Sequence, residues 1–270
     1  MYEKYWGLDK KPFENTPDPR FLYYSQQHDE VLARLIYAVR ERKGAAVLTG
    51  VFGCGKTVLA QALRSELTED RYKIAFITNP QMPYDELIMY ITTHLGAREL
   101  PTKKTEIMIN VILDTLETIL KDNMRDGKDS IVILDEAHII DDPKIFEELR
   151  LLLNFQTQDR FLLTLLLFGQ PELKEKIDNN KQLEQRIAVK AHLDSLTQAE
   201  TTEYINHRLS VAGRQEPVFT ESALSLIFER SGGIPRRINR LCDACLLAGF
   251  AKGQDTIDKD IVLEEAKSLG

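Results

Sequence analysis

Eight consecutive residues, Gly50-Val51-Phe52-Gly53-Cys54-Gly55-Lys56-Thr57, read G-x-x-x-x-G-K-T. Glycines at this spacing let the backbone curl until its N–H groups point inward at a phosphate. A helix that opens at the same place adds the positive end of its dipole. Lys56 would then neutralise the β- and γ-phosphates of a nucleotide, and the Thr57 hydroxyl would hold Mg²⁺. A Gly-rich turn can match this pattern by accident, so its setting matters. The apolar run Ala45-Ala46-Val47-Leu48 precedes it as a buried strand, and Val58, Leu59, Ala62, Leu63 and Leu67 follow at helical spacing. That strand–loop–helix context is the one the chemistry requires. The expected nucleotide-binding residues are therefore Gly50, Val51, Phe52, Gly53, Cys54, Gly55, Lys56, Thr57 and Val58.

A second segment, Ile131-Val132-Ile133-Leu134-Asp135-Glu136, is a buried strand from whose C-terminal end two carboxylates emerge. In open α/β sheets that edge is where ligands sit. Asp135 fits the task of holding the Mg²⁺ shell, and Glu136 that of aligning or deprotonating an attacking water. A plain helix cap after a core strand is the alternative, because Asp141 and Pro143 open the next helix. A further strand, Leu162 to Phe168, ends in Gly169-Gln170-Pro171, where the Gln170 amide could touch the γ-phosphate or the water. A thiol at Cys54, inside the loop, would make nucleotide binding sensitive to oxidation. Cys242 and Cys245 form a C-x-x-C with no second pair to complete a zinc site, and an amphipathic setting makes them core residues.

The elements that must position these groups follow from the rest of the chain. Its 270 residues suffice for one large domain or a large one plus a small one. Hydrophobic residues make up 43% and net charge is −7, so a real core is available and no bulk basic field advertises nucleic acid or acidic membrane. The N-terminus has no apolar stretch of signal-peptide length, and Phe161 to Phe168 is too short to span a bilayer, which makes a cytosolic protein the simple expectation. Residues 1–28 are aromatic and broken by Pro12, Pro17 and Pro19, so they are expected as an irregular arm packed on the main domain, either as a strap or over the nucleotide base. Helices are expected at Asp29 to Glu41, from Pro83 and Asp85 to Leu95, and from Glu106 to Lys121 after a polar break with Pro101 and Lys103-Lys104. Ile74 to Ile77 is a further strand. Strands alternating with helices imply an α/β fold: a three-layer αβα core whose parallel sheet is covered on both faces, over residues 29–194. After about Ser195 only helical patterns remain, at 198–212, 220–231, 235–251 and 258–268, opened by a capping-box pair at Thr197 and Glu200. Residues 195–270 are expected as a small all-helical domain.

With both halves in view the chain resembles an AAA+ ATPase, a P-loop NTPase core followed by a helical lid. More closely it is similar to the ExeA or general secretion pathway protein A group of bacterial ATPases. The residues that carry this are Tyr5-Trp6-Gly7-Leu8, Pro12-Phe13, Thr16-Pro17-Asp18-Pro19-Arg20-Phe21-Leu22-Tyr23, His28 and Leu48-Thr49-Gly50. Further along they are Asp135-Glu136-Ala137-His138, Gly169-Gln170-Pro171-Glu172-Leu173, Gln185-Arg186-Ile187 and Gly233-Ile234-Pro235-Arg236-Arg237-Ile238-Asn239. The resemblance implies Gln170 at the sensor-1 position. It implies Arg186, before the last core strand, as an arginine finger reaching a neighbouring subunit's γ-phosphate, and Arg236 at sensor 2 contacting phosphate in cis. A guanidinium suits either task, because its planar fork pairs with phosphate oxygens and stays charged. A surface salt bridge is the bland alternative for each arginine. The finger in turn implies a ring or filament.

Larger members of that group continue into a membrane span and a peptidoglycan-binding domain, which this chain lacks, so it is expected as a stand-alone member or as a longer chain cut at the lid. The leading expectation is an ATP- and Mg²⁺-dependent ATPase that assembles or remodels a secretion or pilus-type envelope machine through protein partners. A DNA-associated ATPase of the transposition-targeting kind would need a basic patch, which Lys103-Lys104 or Arg236-Arg237 with Arg240 could supply, although the acidic total leans against it. A two-core helicase has no room here. A nucleotide-dependent scaffold that barely turns over is disfavoured by the intact Glu136.

Overall fold

The computed structural model describes residues 1–15, 19–97 and 109–269. Expectations that rest on Thr16, Pro17, Asp18, Pro101, Lys103, Lys104, Glu106, Ile107, Met108 and Gly270 lie outside the described residues. The chain divides into two compact units. One comprises Glu30–Gly50 and Leu59–Leu193, and the other Met1–Asp29, Val51–Val58 and Asp194–Gly270.

The first unit is built on a five-stranded sheet of β1 (Ala45–Gly50), β2 (Tyr72–Ile77), β3 (Asp129–Leu134), β4 (Leu163–Gly169) and β5 (Ile187–Leu193). The order is β2-β3-β4-β1-β5, and every pair is parallel. Continuous apolar runs form the central strands β3, β4 and β1 because a strand covered on both faces exposes no position that favours a polar side chain. Ala45, Val47, Val132, Leu134, Leu165 and Leu167 meet Leu87, Ile88, Ile91 and Leu95 of α3 (Tyr84–Leu95), Ile112, Leu116 and Leu120 of α4 (Ile109–Arg125), and Leu149 of α5 (Pro143–Leu152) in one core. The alternate strand residues Ala46, Leu48, Ile133, Leu166 and Phe168 are fully buried as well, so both faces of the sheet are covered. This is the expected αβα core.

One helix begins elsewhere than the sequence places it, and another opens where it is expected. The helix expected from Asp29 is α1 (Gln26–Arg40); it starts earlier because Ser25 Oγ accepts the His28 N–H at 3.4 Å and acts as its cap. The helix α2 (Lys56–Glu66) opens directly after the glycine loop. Short α6 (Glu172–Asp178) and α7 (Lys181–Glu184) link β4 to β5.

The second unit holds α8 (Gln198–Val211), α9 (Glu221–Ser231), α10 (Pro235–Lys252) and α11 (Lys259–Leu269). The capping box at Thr197 and Glu200 is present. Gly232 and Gly253 end α9 and α10 in the left-handed conformation, at φ 62° and 65°, which L residues adopt only with strain.

The aromatic arm is a correction to the expectation that residues 1–28 pack on the main domain. Tyr2, Trp6, Leu8, Phe13 and Phe21 are buried in one core with Tyr204, Leu209, Phe219, Ile227, Cys242, Leu246 and Ile257, all of them residues of the helical unit. The Trp6 indole N–H donates to Leu246 O at 2.9 Å, and the Tyr2 hydroxyl donates to Asp243. Gly249 makes room for the ring: a Cβ there would lie 2.8 Å from Trp6 Cζ2. Buried Arg208 donates from Nε to Pro12 O and from Nη2 to Glu14 O at 3.0 Å, and its guanidinium lies 4.9 Å over the Phe21 ring. The irregular arm leaves backbone carbonyls without ladder partners, and a guanidinium satisfies them at no cost in unpaired donors.

Candidate nucleotide site

The sheet brings three strand ends to one edge. Thr49 of β1 is level with Gly169 of β4, and Leu134 of β3 with Leu167 of β4. Gly50, Gln170 and Asp135 therefore leave the same C-terminal edge of a parallel sheet.

Beyond Gly50 the backbone turns through Gly53 at φ 84° and Gly55 at φ 112°, values open to glycine. Cys54 N–H donates to Val51 O at 3.3 Å, and α2 begins at Lys56. Lys56 is 5% exposed, with Nζ donating to Val51 O at 3.1 Å. Thr57 and Val58 complete the first turn of α2, while Val51 and Phe52 are exposed. A loop curled by two positive-φ glycines, opening an eleven-residue helix with a lysine at its first position, fits the phosphates of a nucleotide. Among the described residues no group of three or more His, Cys, Asp or Glu side chains is placed to hold a metal.

Arg236 meets this loop. It lies in the first turn of α10, where Pro235 presets the helical φ. Its N–H donates to Gly53 O at 3.4 Å, and its guanidinium stands 4.8 Å over the Phe52 ring. A Cβ on Gly53 would lie 2.9 Å from Arg236 Cβ and 3.2 Å from Ile234 Cγ2, so this glycine serves close approach as well as turning. Cys54 departs from the oxidation expectation. It is 1% exposed, and burial pushes its thiol up, away from the reactive thiolate. Cys242 and Cys245 are fully buried in α10, with burial pushing Cys245 up to about 12, as suits core residues.

At the β3 tip, Asp135 is 2% exposed; its N–H donates to Ile77 O at 2.8 Å and its Oδ1 accepts the Glu136 N–H at 2.9 Å. Glu136 is left-handed at φ 55° and ψ 31°, and a 3₁₀ turn, Ala137–Ile139, follows. Such backbone in a residue with a Cβ costs about 1–3 kcal/mol and persists only where its surroundings hold it. Gln170 Nε2 donates to His138 Nε2 at 2.9 Å, and His138 Nδ1 lies 3.3 Å from Glu136 Oε2. Sequence reasoning had His138 only as one letter of a motif, and no spacing rule could have paired it with Gln170. Arg186 precedes the edge strand β5 and is engaged by the end of α5: Nη1 donates to Leu153 O at 3.2 Å and Nη2 to Asn154 Oδ1 at 3.1 Å.

A family model described as an AAA domain matches residues 39–177. The chain belongs to the AAA domain family. It is an AAA+ protein similar to general secretion pathway protein A of Aeromonas hydrophila, 38% identical over 260 residues that make up 95% of this chain and 46% of the relative. An uncharacterized HTH-type transcriptional regulator of Methanocaldococcus jannaschii is 28% identical over 160 residues, 57% of this chain and 39% of its own. The chain thus spans less than half the length of these curated relatives. Among solved structures, Cdc6p of Pyrobaculum aerophilum matches with a TM-score of 0.71 at 18% identity, covering 97% of this chain and 71% of that one. ORC2 of Aeropyrum pernix, in ADPNP–ADP complexes, matches with 0.68 at 20%, covering 96% and 71%. The Thermotoga maritima RuvB branch-migration motor matches with 0.60 at 20%, covering 91% and 70%. At these identities the likeness is one of fold, the AAA+ P-loop fold. No helix among the described residues is long and apolar enough to cross a membrane.

Proposed function

We propose that this AAA domain binds and hydrolyses ATP and couples the reaction to assembly or remodelling of a bacterial secretion or pilus-type envelope machine. The observation that carries the ATPase part is the glycine-shaped loop opening α2 at Lys56, in a chain whose β3 tip presents Asp135 and Glu136. In this reading residues 29–194 are the ATPase core and 195–270 the lid. The backbone N–H groups from Gly50 to Val58 cradle phosphate, and Lys56 neutralises it. Thr57 and Asp135 are the residues that would hold Mg²⁺, which when bound neutralises charge on the phosphate oxygens. Glu136 takes the proton of the attacking water, and Gln170 orients that water or the γ-phosphate. Arg236, already seated on the loop, pairs with phosphate in cis, and Arg186 reaches a neighbouring subunit in a ring or filament. The envelope role is supported by the relationship to general secretion pathway protein A along 95% of the chain.

The test is ATP binding and turnover for wild type and Lys56→Ala. Wild type is expected to bind and hydrolyse ATP in Mg²⁺. The variant is expected to lose about tenfold or more in affinity, from charged hydrogen bonds worth about 1.5–3 kcal/mol. Wild type that binds no nucleotide overturns the reading. Duplex DNA in the same assay addresses a second reading, a DNA-associated ATPase. That reading draws on Arg236, Arg237 and Arg240 and on the shared fold of ORC1 of Aeropyrum pernix in complex with DNA. Turnover unmoved by DNA favours the envelope machine, and strong stimulation favours the DNA reading.

A further inference from the structure

Glu136, His138 and Gln170 form a chain of contacts whose direction can be worked out. With the Gln170 amide oriented as it stands, its nitrogen can only donate, so His138 Nε2, 2.9 Å away, must accept. A neutral imidazole then carries its one proton on Nδ1. That atom is buried, completes no hydrogen bond, and has the Glu136 carboxylate oxygen 3.3 Å away. A buried donor left without an acceptor is costly, so a small rotation of Glu136 toward the ring is favourable.

The ring's place is fixed from four sides. The left-handed backbone of Glu136 is held by its N–H bond to Asp135 Oδ1. Lys176 Nζ donates to His138 O at 2.6 Å and to Ile140 O at 2.8 Å, which pins the 3₁₀ turn. Gly169 lets the turn lie against β4, since a Cβ there would sit 3.1 Å from His138 N and 2.8 Å from Leu173 Cδ2. Gln170 holds the far ring nitrogen. The His138 side chain is 13% exposed against 32% for Glu136, so a sheltered ring backs a carboxylate that water can reach.

We propose that His138 is a positioning residue that links Gln170 to Glu136 and holds the carboxylate in the pose it needs to act on water, an inference that rests on the ATPase reading. Any displacement of Gln170 by the nucleotide is thereby passed to Glu136 through one ring.

Two substitutions separate the two ends of the link, because Asn places an amide nitrogen where Nδ1 sits and Gln places one where Nε2 sits. His138→Gln and His138→Ala are expected to lower kcat about tenfold, part of the hundredfold or more that a positioned base contributes, with KM for ATP changed less than about twofold. His138→Asn is expected to restore most of kcat. In a Glu136→Gln background, His138→Ala is expected to bring no further loss. Equal activity of the Asn and Gln variants, or a full further loss in the Glu136→Gln background, overturns the link. In nucleotide-free protein labelled with ¹⁵N-histidine, Glu136→Gln should shift the His138 Nδ1 resonance and Gln170→Ala the Nε2 resonance. Absence of both shifts overturns the link whatever the turnover. Wild type that hydrolyses no ATP overturns the ATPase reading, and the ring-nitrogen spectra then still decide the link.

Discussion

Ser25 Oγ lies 2.8 Å from His28 Nδ1, and the Cys54 backbone is a further partner of that ring. Burial lowers the His28 pKa from its ordinary 6.5, outweighing the bond to Cys54 and the carboxylates of Glu200 and Asp29, which act upward. The sign of the pH effect follows. The unfolded chain takes up a proton on this histidine near its ordinary value, while the folded chain resists until lower pH. The neutral ring therefore contributes stability that is fully present above about pH 6.5 and is lost as pH falls from there toward the lower folded value. Melting midpoints at pH 7.5 and 5.5 should differ, and His28→Gln should remove part of the difference. A difference unchanged in the variant would place the acid sensitivity elsewhere. Since His28 is bonded to the backbone of the glycine loop, acid should also weaken nucleotide binding in wild type more than in His28→Gln.

At the scale of elements, the arm tests the packing account. Trp6 is 1% exposed and fills the space left by Gly249, so Trp6→Ala should destabilise the helical unit by about 3–5 kcal/mol in a denaturant melt followed by circular dichroism. A loss under about 1 kcal/mol would mean that the arm contributes little to that core. Much of this architecture was legible beforehand. β1, β3 and β4 are unbroken apolar runs, and the helical unit announces itself by glycines after each periodic stretch. β5 was legible only through resemblance, because as an edge strand it alternates Ile187, Ala191 and Leu193 with the exposed Ala188, Lys190 and His192 and carries no apolar run. The arm's proline and aromatic content correctly excluded regular structure but could not name its partner, which is chosen by Arg208 and Gly249 some two hundred residues away. In the site, the loop and the carboxylates were legible because their chemistry is local. The seat of Arg236 on Gly53 and the His138–Gln170 bond were not, because each depends on where two distant backbones end.

For the whole molecule the open quantity is assembly. Arg186 is held by Leu153 O and Asn154, so service to a neighbouring subunit requires it to leave those partners. Turnover per subunit should rise with protein concentration, and Arg186→Ala should keep nucleotide affinity while turnover falls about tenfold or more, within the range of a lost transition-state contact. Loss of binding instead would contradict the trans role. Connectivity has a further consequence, one for synthesis. Trp6 and the carbonyl that receives its N–H are 240 residues apart. At about 5–20 residues per second the ribosome needs roughly 12–48 s to deliver that partner. Through all of that interval the aromatic side chains of the arm have no completed core to enter, while the sheet-bearing unit that follows them is already being laid down. The arm is thus sheltered only after the sheet-bearing unit has been made, and a nascent-chain chaperone would find a binding site on it.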